Sequence, residues 1–308
     1  MISQNRLEIE GKNERYLVDL TDSSSILKAN GEICSTYLGK SLESGRRVVV
    51  KRYHSWIKTT PEYFWRVERE ADAINACSQI QSELVYHEGV YYLIVDYVEG
   101  FSFKELTRWR YHRKLSFSDL ISISIKALEA LSRVHRAGFV HCDIKPSNII
   151  VNSDDIKRVA YAEVKIIDFG MARKPAEPLH MGERKLPFGL IYSAPEQVLN
   201  LWELVSIQTD IYSIGVALWQ LFTRVEPWMT DNPLKTIHIQ LTQELPKNRR
   251  IPQGLEQVLK KATSKAKLAR PPHMYTRTQL IDMLEHAIEN RYKNVDQFLK
   301  EIVVLKKF

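Results

Sequence analysis

The change of residue texture at Gly100 constrains the fold of this chain more than any other feature. Before it, residues 26–53 read ILKANGE, STYLGK and RRVVVKRY, β-branched runs broken by turn residues, which predicts strand, turn, strand, turn, strand. Residues 61–77, PEYFWRVEREADAINAC, switch period. Pro61 opens a helix, and Val67, Ala71 and Ile74 fall on one face. Two more strands are expected near 83–87 and 90–97, joined by the tight Glu88-Gly89 turn. Beyond Gly100 the pattern is mainly helical, with a strongly amphipathic helix over 117–137 that stops at Gly138. Two short strands flank a charged turn within 148–167, and helices follow to the end. The expectation is an α+β chain of two lobes: a small β-rich lobe over 26–96 and a larger helical lobe over 97–308. A cleft between such lobes is a usual place for a ligand. Residues 1–25 are polar, end in TDSSS and read as a loose N-terminal lead-in.

Composition excludes several classes. With 44% hydrophobic and 26% charged residues, the chain reads as a soluble globular protein and not a disordered one. MISQNRLEIEGKNER has no apolar stretch of the secretory type, and apolar runs such as 214–219 are too short to span a bilayer. Cys34, Cys77 and Cys142 are odd in number and lack metal-ligand spacing, which fits thiols in a reducing cytoplasm. The net charge of +7 points to anionic partners without choosing among nucleotide, acidic protein and nucleic acid.

The chemistry is carried by motifs in a fixed order. Residues 140–151 read VHCDIKPSNIIV, with Asp143, Lys145 and Asn148 at set offsets. Ile167-Asp168-Phe169-Gly170 follows a predicted strand, Val48-Val49-Val50-Lys51 ends one, Glu70 lies on the next helix, and Ala194-Pro195-Glu196 comes later. In this combination the chain, over residues 26–304, resembles the eukaryotic-like serine/threonine protein kinases, and the fold implied is the bilobal protein-kinase-like fold. Relative to a minimal member of that family, a helical segment near 264–288 looks inserted. In it Thr276 is a candidate N-cap, and Leu280, Leu284 and Ile288 form a stripe.

The resemblance implies the site. ATP would be the phosphoryl donor, with Mg²⁺, or Mn²⁺ as an alternative, held by Asn148 and Asp168, hard oxygen donors suited to such an ion. Asp143 would act as catalytic base, and Lys145 would sit against the γ-phosphate. Lys51 would bind the α/β-phosphates while paired with Glu70. The backbone of Asp96 and Val98 would hold adenine, Val95 would guard the back of its pocket, and Val49 and Ile150 would cover its two faces. The acceptor would be a Ser or Thr hydroxyl of a protein substrate. His141 and Asp210 would support the loop of Asp143, and Glu196 would pair with Arg291. The alternative is a nucleotide-binding pseudokinase or scaffold with little or no transfer.

Five departures from the family pattern matter. The phosphate loop GxGxxGxV falls on Ala29 to Thr36, and Gly31 alone remains of its glycines, although backbone amides must approach phosphate without a Cβ in the way. Val49 replaces the usual alanine. Cys142 stands where an arginine usually precedes the base, a non-RD arrangement that includes bacterial members. The segment 171–193 has no Ser, Thr or Tyr before Tyr192, so activity is expected not to depend on phosphorylation there. Leu190 stands where serine/threonine members usually place a threonine.

Partners are a protein substrate and a regulatory or neighbouring protein; a membrane is not expected and a nucleic acid is disfavoured. One stretch bears on this separately: Arg108-Trp109-Arg110-Tyr111-His112-Arg113-Lys114 is basic with interleaved aromatics, a signature of nucleic-acid or acidic-peptide binding whose default reading is a solvated loop.

Overall fold

The computed structural model describes residues 6–29, 31, 33–77, 80–175, 177 and 190–306. The chain divides into two compact units, residues 1–98 and 99–308.

The first unit is an antiparallel sheet with one long helix. Its elements are β1 (Arg6–Glu10), β2 (Arg15–Asp19), β3 (Ile26–Lys28), β4 (Cys34–Ser41), β5 (Arg47–Tyr53), α1 (Pro61–Cys77), β6 (Ser82–His87) and β7 (Val90–Asp96). The strands run in the order β1-β2-β4-β5-β7-β6, with β3 also on β4. The expected loose lead-in over 1–25 is therefore corrected: β1 and β2 extend the sheet and place Ile9, Tyr16 and Val18 in its core with Val48, Val50, Val85, Tyr92 and Ile94. The reason is visible in RLEIE and RYLVD. RLEIE alternates apolar and charged residues, and RYLVD puts Tyr16 and Val18 on the buried face with Arg15, Leu17 and Asp19 on the other. The β6–β7 hairpin turns through Glu88 and Gly89, both at positive φ (47° and 82°), as a two-residue turn matched to strand twist requires. On α1, Val67, Ala71 and Ile74 are buried, the face read from the sequence.

The second unit contains β8 (Phe101–Ser102), α2 (Phe103–Leu106), α3 (Trp109–His112), α4 (Phe117–Arg136), β9 (Ile149–Asn152), β10 (Glu163–Ile166), α5 (Pro195–Val198), α6 (Ile207–Thr223), α7 (Pro233–Thr242), α8 (Gln253–Ala262), α9 (Arg277–Glu289) and α10 (Val295–Leu305). A small sheet runs β10-β9-β8. Helix α4 starts at a reciprocal capping box between Ser116 and Asp119, and packs against α10 and β10. Helix α6 is buried from Thr209 through Thr223, Asp210 included. Helix α9 lies in the segment near 264–288 and is capped by Thr276. Its Leu280 and Leu284 pack with Val198, Leu201, Leu241 and Leu268, so the stripe faces its own unit. No described helix is long and apolar enough to cross a membrane.

Candidate active site

In the second unit the loop between α4 and β9 is fixed from below before it presents any side chain. Asp210, fully buried near the start of α6, accepts a hydrogen bond from the backbone N–H of His141 (2.7 Å) and another from that of Cys142 (2.9 Å). The ring of His135 meets the same carboxylate at 2.9 Å. One buried carboxylate thus has three donors, which meets the cost of removing its charge from water. His141 is fully buried. Its Nε2–H donates to the carbonyl of Ile167 (3.1 Å), its Nδ1 accepts from the N–H of Asp143 (3.2 Å), and its ring packs on Phe169 at 4.8 Å. These bonds assign the Nε2–H tautomer. His141 therefore ties the Asp143 loop to the Asp168-Phe169-Gly170 segment.

On this support the chemically active groups converge. Lys145 Nζ donates to Asp143 Oδ2 at 2.6 Å, and Asn148 Nδ2 donates to the Asp143 carbonyl at 2.9 Å. Burial raises the Asp143 carboxyl pKa, against the lowering effect of Lys145, while the nearby Asp168 charge raises it further. With its Nδ2 anchored, Asn148 turns its Oδ1 into a position suited to accept from a donor or bind a cation; Ser147 Oγ lies 3.2 Å from it. The N–H of Ile167 donates to the Asn148 carbonyl at 2.9 Å, which brings Asp168 beside Asn148. Asp168 has a left-handed backbone (φ 66°), an uncommon state for a residue with a Cβ and one found where a side chain must be aimed. One amide oxygen and one carboxylate fit an ion that keeps waters and takes phosphate oxygens, as Mg²⁺ does. Among the described residues no cluster of three or more His, Cys, Asp or Glu offers an all-protein metal cage. Ile150 lies on β9, paired with Ser102 and Lys165.

Cys142 is not displayed at the site. It is 2% exposed, has φ 63°, and packs with Val140, Trp202 and Val205. Its carbonyl accepts from Gln197 Nε2 at 2.8 Å. An arginine there would carry its charge into an apolar cluster, so this position suits a small side chain. Glu196 and Arg291 form a bidentate pair at 2.7 and 3.0 Å, both side chains fully buried. Leu190 packs against the apolar cluster around Val198 and Leu280. Most of the segment 171–193 (residue 176 and residues 178–189) lies outside the described residues. At its end, the Tyr192 hydroxyl donates to Gln220 Oε1 at 2.5 Å, and burial holds its pKa above the usual tyrosine value.

The first unit carries the remaining candidates. Lys51 Nζ donates to Glu70 Oε1 at 2.5 Å, and Tyr53 donates to Glu70 Oε2 at 3.1 Å, so both carboxylate oxygens are held. Adjacent strands pair Thr36 with Lys51 and Val49 with Val95. The N–H of Asp96 donates to the Gln81 carbonyl (3.1 Å) and its carboxylate pairs with Arg46. Val98 closes this unit. Ala29 and Gly31 lie between β3 and β4; Asn30 and Glu32 are outside the described residues. A Cβ on Gly31 would stand 2.3 Å from the Cys34 carbonyl oxygen, so the turn itself demands glycine there. The supporting residues Gln197, His135 and Tyr53 carried no sequence signal as site residues.

A family profile described as the protein kinase domain matches residues 29–302. This chain belongs to that family. The kinase domain is similar to a probable serine/threonine-protein kinase of Clostridium acetobutylicum, at 30% identity over 261 residues, 82% of this chain and 37% of that protein. It is similar to a probable serine/threonine-protein kinase of Clostridium perfringens at 30% over 243 residues, 76% of this chain and 34% of that one. The serine/threonine-protein kinase PrkC of Bacillus subtilis is 26% identical over 243 residues, 76% of this chain and 36% of its own. The kinase domain thus spans about a third of the length of these relatives.

Proposed function

We propose that this chain transfers the γ-phosphoryl group of ATP to Ser or Thr hydroxyls of proteins in the cytoplasm. The observation that carries this reading is the Asp143–Lys145–Asn148 cluster on a loop pinned by Asp210. Asp143 Oδ2 would accept or orient the proton of the attacking hydroxyl. Lys145, already on that carboxylate, would bring positive charge to the group in transfer. Asn148 and Asp168 would hold Mg²⁺, which when bound supplies neutralisation of the phosphate charge. Lys51, fixed by Glu70, would orient the α/β-phosphates, and Ala29, Gly31 and Thr36 would border them. Val49, Val95 and Ile150 would line the adenine pocket, with the Asp96 and Val98 backbone as its polar contacts.

Three features support transfer without phosphorylation of the 171–193 segment: the buried Cys142, the hydroxyl of Tyr192 engaged by Gln220, and the absence of earlier acceptors in the sequence. A base, metal-binding oxygens and a paired lysine together weigh against the pseudokinase reading. The test is incubation with γ-labelled ATP, Mg²⁺ and generic acidic and basic proteins beside an Asp143→Asn control. Label on Ser or Thr in the wild type alone supports the reading; equal label in both, despite an ATP-dependent thermal shift, sinks it. An activating phosphate at Tyr192 or Ser193, mapped by mass spectrometry, would overturn the phosphorylation-independent part.

A further inference from the structure

The stretch from Arg108 to Lys114 takes no part in the chemistry above. It forms α3 and its flanking turns, and Arg108, Trp109, Arg110, Arg113 and Lys114 are exposed, Trp109 over 63% of its surface. Two further cations reach the same place from other elements. Arg224, which ends α6 in a left-handed conformation, lies over the Trp109 ring at 4.9 Å. Arg250 Nη1 donates to the Thr223 carbonyl at 2.6 Å. His112 joins them, its Nε2 on the Leu221 carbonyl at 2.9 Å. Burial first, and then the charges of Arg224 and Arg250, hold its pKa below the usual histidine value.

Cations gather at helix C-termini for an ordinary reason, the partial negative charge of the last carbonyls. That reason accounts for Arg250, and for His112 as a neutral donor, since these two satisfy carbonyls of the last turn of α6. It leaves Arg108, Arg113 and Lys114 unexplained, while Arg110 and Arg224 lie over the rings of Tyr111 and Trp109. None of these, nor Arg250, makes an ion pair with a described acid, whereas Arg46, Lys261 and Arg277 elsewhere each do. The Nε of Arg224 is buried with no hydrogen-bond partner. Uncompensated like charges around a solvent-facing tryptophan raise the free energy of the free surface, and an anionic partner lowers it.

We propose that this face docks an acidic segment of a partner protein. Guanidinium forks pair bidentately with carboxylates, and the open face of Trp109 accepts an apolar or proline side chain between them. A nucleic-acid strand fits less well, because it stacks successive bases on several rings. Here Trp109 has one face under Arg224, and Tyr111 is covered by Arg110 (4.5 Å) and packed on Phe101 (5.1 Å). The docking is a binding property and stands apart from phosphoryl transfer.

The experiment is fluorescence anisotropy on the full chain with a short labelled peptide of Glu and Asp around a Leu-Pro pair, beside a thymidine oligonucleotide of equal length. Arg110→Glu/Arg113→Glu should weaken peptide binding by about tenfold or more, while Lys293→Glu/Lys300→Glu, before and on α10, with the same change of net charge, should stay within about twofold. Trp109→Ala should weaken binding at physiological salt, where screening leaves more of the affinity to contact. Arg113→Gln/Lys114→Gln serves if the charge reversal unfolds the chain, with thermal midpoints recorded for each variant. Equal losses from the α3 and α10 pairs, no loss from either, no peptide binding, or tighter binding of the oligonucleotide would each overturn the proposal.

Discussion

Arg291 grips Glu196 through two parallel hydrogen bonds, 2.7 and 3.0 Å, with neither side chain exposed to solvent. The pair joins the turn between α9 and α10 to the start of α5, and Thr209 donates to the same carboxylate at 2.9 Å. Removing one partner strands the other as a buried charge. Arg291→Ala should cost about 3–5 kcal/mol of unfolding free energy, and Arg291→Met/Glu196→Leu much less than twice that. Urea unfolding of the single and the double variant beside the wild type measures the difference.

Lys51 and Tyr53 hold the two oxygens of Glu70 for different purposes. Lys51→Met should lower phosphoryl transfer by on the order of 10²–10³ and, because it leaves the buried Glu70 without its cation, also lower the thermal midpoint. Tyr53→Phe removes one neutral donor and should cost about 0.5–1.5 kcal/mol of stability, with a rise in the KM for ATP and a smaller change in kcat. Steady-state kinetics with thermal melts separates the two.

Stability should rise with pH above neutrality because of Lys265. Burial pushes its ammonium down to about 7 from 10.5, although the Trp228 ring at 4.3 Å and the Gln240 carbonyl both favour the cation. Between those values the unfolded chain binds a proton that the folded chain does not, so unfolding free energy increases with pH through that window. Lys265→Met should flatten the dependence. Urea midpoints across the window, for both proteins, provide the check.

The three cysteines should react in a set order. Cys34 is partly exposed; Cys77 is buried with its thiol pushed up to about 12; Cys142 lies under Trp202. Iodoacetamide should label Cys34 first in the folded chain, with Cys77 and Cys142 modified only on unfolding. Peptide mapping over a time course would show it, and early labelling of Cys142 would contradict the packing described.

Much of this was legible in sequence, and what was not had physical reasons. Asp143, Lys145, Asn148 and Asp168 could be read because charge neutralisation around a transferred phosphoryl group needs particular side chains at particular offsets. The Glu88-Gly89 hairpin could be read because its turn needs positive φ at both residues. Strands β1 and β2 were hidden because each is only five residues long and begins and ends on a charged residue, which looks like a polar tail. Tyr53, His135 and Gln197 were hidden for another reason. Each meets its partner across 17, 75 and 55 residues, and only the folded chain defines those neighbours. Gly31 lies between these cases: its identity was visible, but the Cys34 carbonyl that requires it was not.

The attachment of the 141–142 backbone to Asp210 also sets a timescale. Loops that carry chemistry commonly open locally and often, yet these two amides are bonded to a carboxylate inside the most buried helix of the unit. Their exchange with deuterium therefore waits for the collapse of α6 itself. The active loop should be among the last parts of the unit to let solvent in.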